Sequence, residues 1–394
     1  MWNIGMFRGF RRWIGVLLSF LILLNVMTVK VKAQPELSAP AAILIEATTG
    51  KVIYEKNADE RRSPASITKI MTLLIVFDRI HEGKAKLDDE VLVSENAASM
   101  GGSQVYLAQG EVQTLDTMIK CIAVASGNDA SVAVAEYIAG SEDAFVKMMN
   151  DKAKSLGMTG THFVDCCGLT TSDEHYTTAK DVARMSSELI TSYPEVLRYT
   201  GIWMEDITHK TRQGISTFTL SSTNKLLKRY PYTTGLKTGS TQKAKYCISA
   251  SASKDGMDLI AVILGAPDPK ARFSEAQELL TFGYSICRMY RDETPPDLPE
   301  LPVNGGIDKK ASLSYDGIFQ YFDLENLDFQ KITVTMDLPE EVRAPLMQGD
   351  KAGRLVYSYD GVELGEVDIT FAETIERASL KDYIRYILSS WLLP

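Results

Sequence analysis

Histidine and cysteine are scarce: the 394-residue chain has four of the former and five of the latter. No Cys-x-x-Cys and no His-Glu-x-x-His occurs. The common dithiol and zinc spacings are therefore missing, and neither a metal nor another cofactor is expected. The cysteines (Cys121, Cys166, Cys167, Cys247 and Cys287) are odd in number, which argues against a disulfide framework. Adjacent Cys166 and Cys167 read as small buried apolar residues. No Gly-x-Ser-x-Gly elbow is found either, so a serine served by histidine lacks its usual frame. His175 then reads as a satisfied structural residue whose replacement should spare the chemistry. Long apolar runs are absent near the N-terminus. The stretch Trp13 to Val26 is interrupted by Ser19 and Asn25 and falls short of the ~20 residues that span a bilayer.

Positive charge is in deficit, with 42 Lys and Arg against 51 Asp and Glu. Arg8, Arg11 and Arg12 precede the apolar stretch and Val31-Lys32-Ala33 follows it, the layout of a cleavable export signal over residues 1–33. Its loss would remove five basic residues and no acidic one, taking the net charge from −9 to −14. Such an acidic exported product is a poor nucleic-acid binder. The whole chain is 45% hydrophobic, enough to bury a core.

Ala42 to Ile45 and Val52 to Tyr54 flank Ala47-Thr48-Thr49-Gly50, a strand–turn–strand pattern. From Ile67 the apolar residues Ile70, Met71, Leu74 and Phe77 follow the spacing of one helix face. Residues 114–156 read as several helices and Thr178 to Thr191 as another. Tyr246 to Ser253 and Leu259 to Leu264 form a hairpin through Lys254-Asp255-Gly256-Met257, and Ser274 to Tyr290 returns to helix. Strands at both ends with helices between them predict one α+β domain, its antiparallel sheet closed by both termini and carrying a helical subdomain, over residues 38–291. Four prolines from Pro295 to Pro302 mark a stiff linker. Period-two patterns at Ile332 to Leu338, Leu355 to Tyr359 and Val362 to Ile369 then predict a small all-β domain over 292–372. Residues 373–394 close the chain with Leu380, Tyr383, Ile384, Ile387, Leu388, Trp391 and Leu392 on one stripe, an amphipathic helix suited to a membrane surface.

Three short motifs carry the chemistry. Ser-x-x-Lys occurs four times, at Ser66/Lys69, Ser222/Lys225, Ser240/Lys243 and Ser251/Lys254. Only Ser66 opens a predicted helix, where positions i and i+3 share a face and the N-terminal dipole favours developing negative charge. Ser126-Gly127-Asn128 ends an apolar helix at a glycine, a stop that projects its side chains outward. Lys237-Thr238-Gly239 occurs once, with Ser240 behind it and strand-like sequence following. Together they supply a nucleophile, a neutralisable base, a proton relay and a cation for a carboxylate.

With Pro64 to Thr72, Ala125 to Ala130, His175 to Ala179 and Gly235 to Gly239 laid out in this order, the chain resembles the low-molecular-mass penicillin-binding proteins. These are serine-type D-alanyl-D-alanine carboxypeptidases of peptidase family S11, with a β-lactamase/transpeptidase-like domain. The resemblance runs from about residue 38 to the C-terminus and implies the β-rich second domain and the terminal anchor as well. It implies that Ser66 attacks the carbonyl between two terminal D-alanines of a peptidoglycan stem peptide, with Lys69 as base. Ser126 would relay the proton and Asn128 would orient Lys69 and the substrate amide. Backbone N–H groups of Ser66 and Ser240 would hold the oxyanion. Lys237, Thr238 and Gly239 would grip the terminal carboxylate with help from Arg272, and β-lactams would acylate Ser66. Burial and the nearby Lys237 cation are expected to lower the pKa of Lys69.

Two departures are visible: Ser240 stands where many relatives carry a bulkier residue, and Thr223 or its neighbours where some carry an arginine. A serine β-lactamase shares the motifs, but no Glu-x-x-x-Asn lies between Asn128 and Lys237. The same residues would also serve a D,D-endopeptidase acting on cross-links, and the intact trio disfavours a non-catalytic wall-binding protein.

Overall fold

The computed structural model describes residues 34–392, and the predicted export segment 1–33 lies outside the described residues. The strand–turn–strand pattern becomes β1 (Ala41–Glu46) and β2 (Val52–Lys56), paired antiparallel. A 3-10 turn over Ala65–Thr68 leads into α1 (Lys69–His81). A short antiparallel pair, β3 (Glu90–Leu92) and β4 (Val112–Thr114), precedes three helices. These are α2 (Leu115–Ala123), α3 (Asn128–Ala139) and α4 (Glu142–Ser155), and α5 (Ala179–Ser192) follows. A hairpin that the periodicity did not signal, β5 (Met204–Thr211) with β6 (Gly214–Ser221), comes next. Then come β7 (Thr233–Thr241), β8 (Lys245–Lys254), β9 (Met257–Ala266) and α6 (Pro269–Ile286).

The main sheet is antiparallel in the order β2-β1-β9-β8-β7, so the two ends of this region do meet in the sheet. Strand alternation divides its side chains between two cores. Ile43, Ile45, Ile260, Val262 and Leu264 face the helical side with α1 to α5. Leu44, Leu259, Ala261 and Ile263 face α6 through Phe273, Leu279 and Leu280. Because both faces are covered, β1 and β9 read as continuous apolar runs. Each fully buried Leu or Ile contributes about 1.5–3 kcal/mol. The β8–β9 turn has Asp255 at φ 52° and Gly256 at φ 74°, the positive pair that a two-residue hairpin requires.

Two expectations change. Ser66 sits in the 3-10 turn, and the α-helix begins at Lys69, because Ala65 enters the turn at φ 48°. The last helix of this region begins five residues earlier than Ser274, where Asp268 accepts from Lys270 N and Ala271 N and Pro269 fills the first turn. It stops at Ile286, since Arg288–Arg291 is a strand paired with Gln320–Asp323.

Beyond the prolines, a four-stranded antiparallel sheet runs in the order Leu313–Tyr315, Val362–Phe371, Lys351–Tyr359, Ile332–Asp337. Asp360 and Gly361 turn its central hairpin, both at positive φ. Its core is small: Phe319, Leu355, Tyr357, Val367 and Ile369, with Phe319 and Tyr357 stacked at 3.8 Å. The terminal helix forms as α7 (Leu380–Leu392). Its residues Leu380, Tyr383, Ile384, Ile387 and Leu388 are exposed, so the stripe is not buried against the β region. No described helix is long and apolar enough to cross a membrane.

Candidate active site

Three elements converge on one cleft: the 3-10 turn and first residue of α1, the turn between α2 and α3, and β7. Gly239 makes the closest approach possible. A Cβ there would stand 2.9 Å from Pro64 O and Ser66 N and 3.0 Å from Ile67 N, all backbone atoms. Only glycine lets the strand lie this close to the nucleophile turn. On the opposite wall Ser126 is held at φ 63°, a second left-handed non-glycine residue beside the cleft. Strained backbone clusters at such sites when the surroundings hold it in place.

Lys69 is fully buried and its Nζ has three partners. It donates to Asn128 Oδ1 at 2.6 Å, to the Cys167 carbonyl at 2.8 Å and to Ser66 Oγ at 3.1 Å. Asn128 is fixed in turn, because its Nδ2 donates to Gly101 O at 2.7 Å and so turns Oδ1 toward Lys69. Burial pushes the Lys69 amine below its ordinary value, against an opposing pull from Cys167, Cys166, Asp165 and Asp129. Lys237 is buried as well, and its Nζ donates to Ser126 Oγ at 2.9 Å and to the Thr238 carbonyl at 3.0 Å. Burial lowers it well below the usual lysine range, helped by the charges of Lys69 and Arg272. Desolvation is the largest cause at both lysines, and the repulsion expected to act on Lys69 falls on Lys237 instead.

Thr238 Oγ1 donates to Thr223 Oγ1 at 2.7 Å, so Thr223 stands at the cleft as a hydroxyl. Ser240 is exposed at the mouth, with its backbone in register opposite Tyr246. Arg272 is placed behind β7. Its Nη1 donates to the Gly239 carbonyl at 3.1 Å and the Cys247 carbonyl at 3.4 Å, with the guanidinium over the Phe273 ring. All nine residues singled out in the sequence therefore lie in or directly behind one cleft.

Several contributors had no signature in the sequence. The Cys167 carbonyl is a backbone atom on a loop, delivered by Asp165, whose carboxylate accepts from the N–H groups of Cys167, Gly168 and Thr170. Asp129, beside Asn128, accepts from Val105 N and Leu107 N and pins the opposite loop. The only signal was an acidic residue, beside Asn128 in one case and three residues before Gly168 in the other, too common to single out.

Comparison with known proteins agrees with this geometry. The family profile described as D-alanyl-D-alanine carboxypeptidase (Peptidase_S11) matches residues 28–268, and that for the penicillin-binding protein 5 C-terminal domain matches residues 300–377. The chain is 40% identical over 357 residues to D-alanyl-D-alanine carboxypeptidase DacF of Bacillus subtilis (strain 168), covering 90% of each. It is 34% identical to DacC of Escherichia coli (strain K12), covering 87% of this chain and 85% of the relative. Among solved structures, penicillin binding protein 5 from Haemophilus influenzae superposes with a TM-score of 0.67 at 26% identity, covering 88% of this chain and 99% of the other. The chain belongs to the peptidase S11 family of D-alanyl-D-alanine carboxypeptidases.

Proposed function

We propose that this protein removes the terminal D-alanine from peptidoglycan stem pentapeptides through an acyl-enzyme on Ser66, and that β-lactams arrest it there. The observation that carries the reading is the arrangement around Lys69 Nζ. Two of its three partners, Asn128 Oδ1 and the Cys167 carbonyl, can only accept. A neutral amine spends its two N–H bonds on them, which leaves its lone pair directed at Ser66 Oγ, 3.1 Å away. Burial favours that neutral form.

Ser66 Oγ then bonds to the carbonyl carbon as its proton passes to Lys69. The oxyanion is held by the N–H groups of Ser66 and Ser240. Ser126, bonded to Lys237, relays the proton taken up by Lys69 to the departing D-alanine nitrogen as the C–N bond breaks, which returns Lys69 to its neutral form. Lys237, Thr238 and Thr223 grip the leaving carboxylate, and Arg272 supports the grip from behind through the Gly239 carbonyl. Water attacks the ester and restores Ser66. We assign residues 38–291 to catalysis and 292–372 to the β domain. Residues 1–33 direct export, and 373–394 hold the enzyme on the outer face of the cytoplasmic membrane through the exposed stripe of α7.

Mass spectrometry after exposure to benzylpenicillin tests the reading. One adduct is expected, on the peptide containing Ser66, together with free D-alanine release from a pentapeptide substrate. An unmodified Ser66 peptide overturns it.

A further inference from the structure

We infer that His175 is a positioning residue for the nucleophile: its Nε2–H holds the Thr68 hydroxyl on the Ala65 carbonyl and so sets the backbone from which Ser66 projects. This rests on the assignment of Ser66 as nucleophile.

The direction of each bond fixes the tautomer. The backbone N–H of Val164 donates to His175 Nδ1 at 3.1 Å, so Nδ1 carries no proton and the ring is protonated at Nε2. Nε2–H faces Thr68 Oγ1 at 2.8 Å, and the Thr68 hydroxyl donates onward to Ala65 O at 2.8 Å. The chain runs one way, from Val164 N–H through the ring and the hydroxyl to the carbonyl, with one partner for every donor. It ends on a residue that needs holding. Ala65 sits at φ 48°, a left-handed conformation that a side chain with a Cβ disfavours. Gly168 closes the other side of the same peptide, since a Cβ there would collide with the Ala65 carbonyl. The Ala65 carbonyl is thus bonded by Thr68 and backed by Gly168, one residue before the nucleophile.

The ring is 2% exposed and packs edge-on against Phe163. Burial lowers its pKa. His162 and Lys243 push the same way, and Asp165 opposes them. Near neutral pH the ring is uncharged, as the bond from Val164 requires. Protonation at Nδ1 would point two N–H groups at each other and break the chain at its first link. The expectation that replacing His175 spares acylation changes accordingly: capacity survives and rate falls.

The test is the second-order rate of Ser66 acylation by benzylpenicillin, measured against pH on the full-length enzyme. Thr68→Val and His175→Phe should each slow it about tenfold, because small displacements of reacting groups are costly. The double variant should be no slower than the slower single, since both cut the same chain. Thr68→Ser should stay within about twofold of wild type, as the hydroxyl is restored. His175→Gln, whose amide can replace Nε2–H, should also keep most of the rate and lose the histidine share of the acid limb. Nitrogen-15 NMR of the wild-type ring should show Nδ1 unprotonated. Multiplying losses in the double variant, wild-type rates in Thr68→Val and His175→Phe, or an Nδ1–H tautomer would each overturn the inference. Failure of wild-type Ser66 to acylate would instead sink the functional reading itself.

Discussion

Lys69 and Lys237 lie buried in the cleft, and neither forms an ion pair with a carboxylate among the described residues. Lys351 and Arg354 of the β region lie in the open, each between two carboxylates. Lys351 meets Asp368 at 2.5 Å and Glu366 at 3.5 Å, and Arg354 meets Glu366 at 2.8 Å and Asp337 at 3.1 Å. The same kinds of side chain are therefore held in opposite ways. Pairing raises the pKa of Lys351 and Arg354 and keeps them charged. Burial without a carboxylate partner lowers both cleft lysines: at Lys69 this makes a base available, and at Lys237 it leaves an amine lacking the counter-charge that a substrate carboxylate would supply. Charge in the β region is kept by pairing. In the cleft, its suppression serves chemistry.

The sharpest way to break this comparison is to remove one member from each side. Ser66→Ala should abolish the β-lactam adduct outright. Lys69→Met should slow acylation about 10²–10⁴-fold, the usual worth of a positioned base. Lys351→Met should leave the acylation rate unchanged, and a comparable loss there would dissolve the distinction. The pH response follows with a definite sign. Acylation needs neutral Lys69, so its rate should rise with pH, on a limb lying below the ordinary lysine range.

Stability should rise over part of the same range. The folded state binds fewer protons than the unfolded chain between the lowered folded pKa values and the unfolded value near 10.5. Below that window the buried ammonium is a cost, so Lys69→Met should flatten the rise of the melting midpoint with pH. Arg354→Ala should not.

Gly239→Ala is a smaller and purely geometric test. The new methyl meets three backbone atoms of the nucleophile turn at 2.9–3.0 Å, so β7 must move away from Ser66. A shift of this kind should cost about 10²-fold in acylation, with far-ultraviolet circular dichroism unchanged.

The site was legible wherever chemistry resides in side-chain identity at a secondary-structure spacing. Ser66 and Lys69 share one face, Ser126 and Asn128 flank a glycine stop, and Lys237 sits on a strand beside its partner β8. It was illegible wherever the functional atom is backbone. Nothing in the sequence marks the Cys167 or Gly101 carbonyls as acceptors, or Ala65 as left-handed, because conformation there is imposed by Gly168 and Thr68 from elsewhere in the chain. Arg272 shows the middle case. Its charge and its place at a helix start could be read, but not which side of β7 the guanidinium would take. The fold followed the same rule. The hairpin at Asp255-Gly256 and the period-two strands of the β region were plain, while Cys287 to Tyr290 carries apolar residues compatible with either period and leaves the helix to enter the strand Arg288–Arg291. The β5–β6 hairpin was missed because most of β6 is exposed, so burial imposes no alternation on it.

The last comparison is between two buried hydroxyl-bearing side chains, and it should give the smallest effect. Ser126 is bonded to Lys237, the proposed carboxylate-binding lysine, whereas Tyr357 is bonded to Asp292 at 2.8 Å, where the first domain hands over to the β region. Tyr357 is 1% exposed and stacked on Phe319, so Tyr357→Phe keeps the packing and deletes one hydrogen bond to a charged group. Such a bond contributes about 1.5–3 kcal/mol. The loss should appear as a lowered urea midpoint with an unchanged slope, and the acylation rate should not move. A drop in acylation instead would mean that the β region, through Asp292, bears on the geometry of the cleft, and the division of labour between the two regions would have to be redrawn.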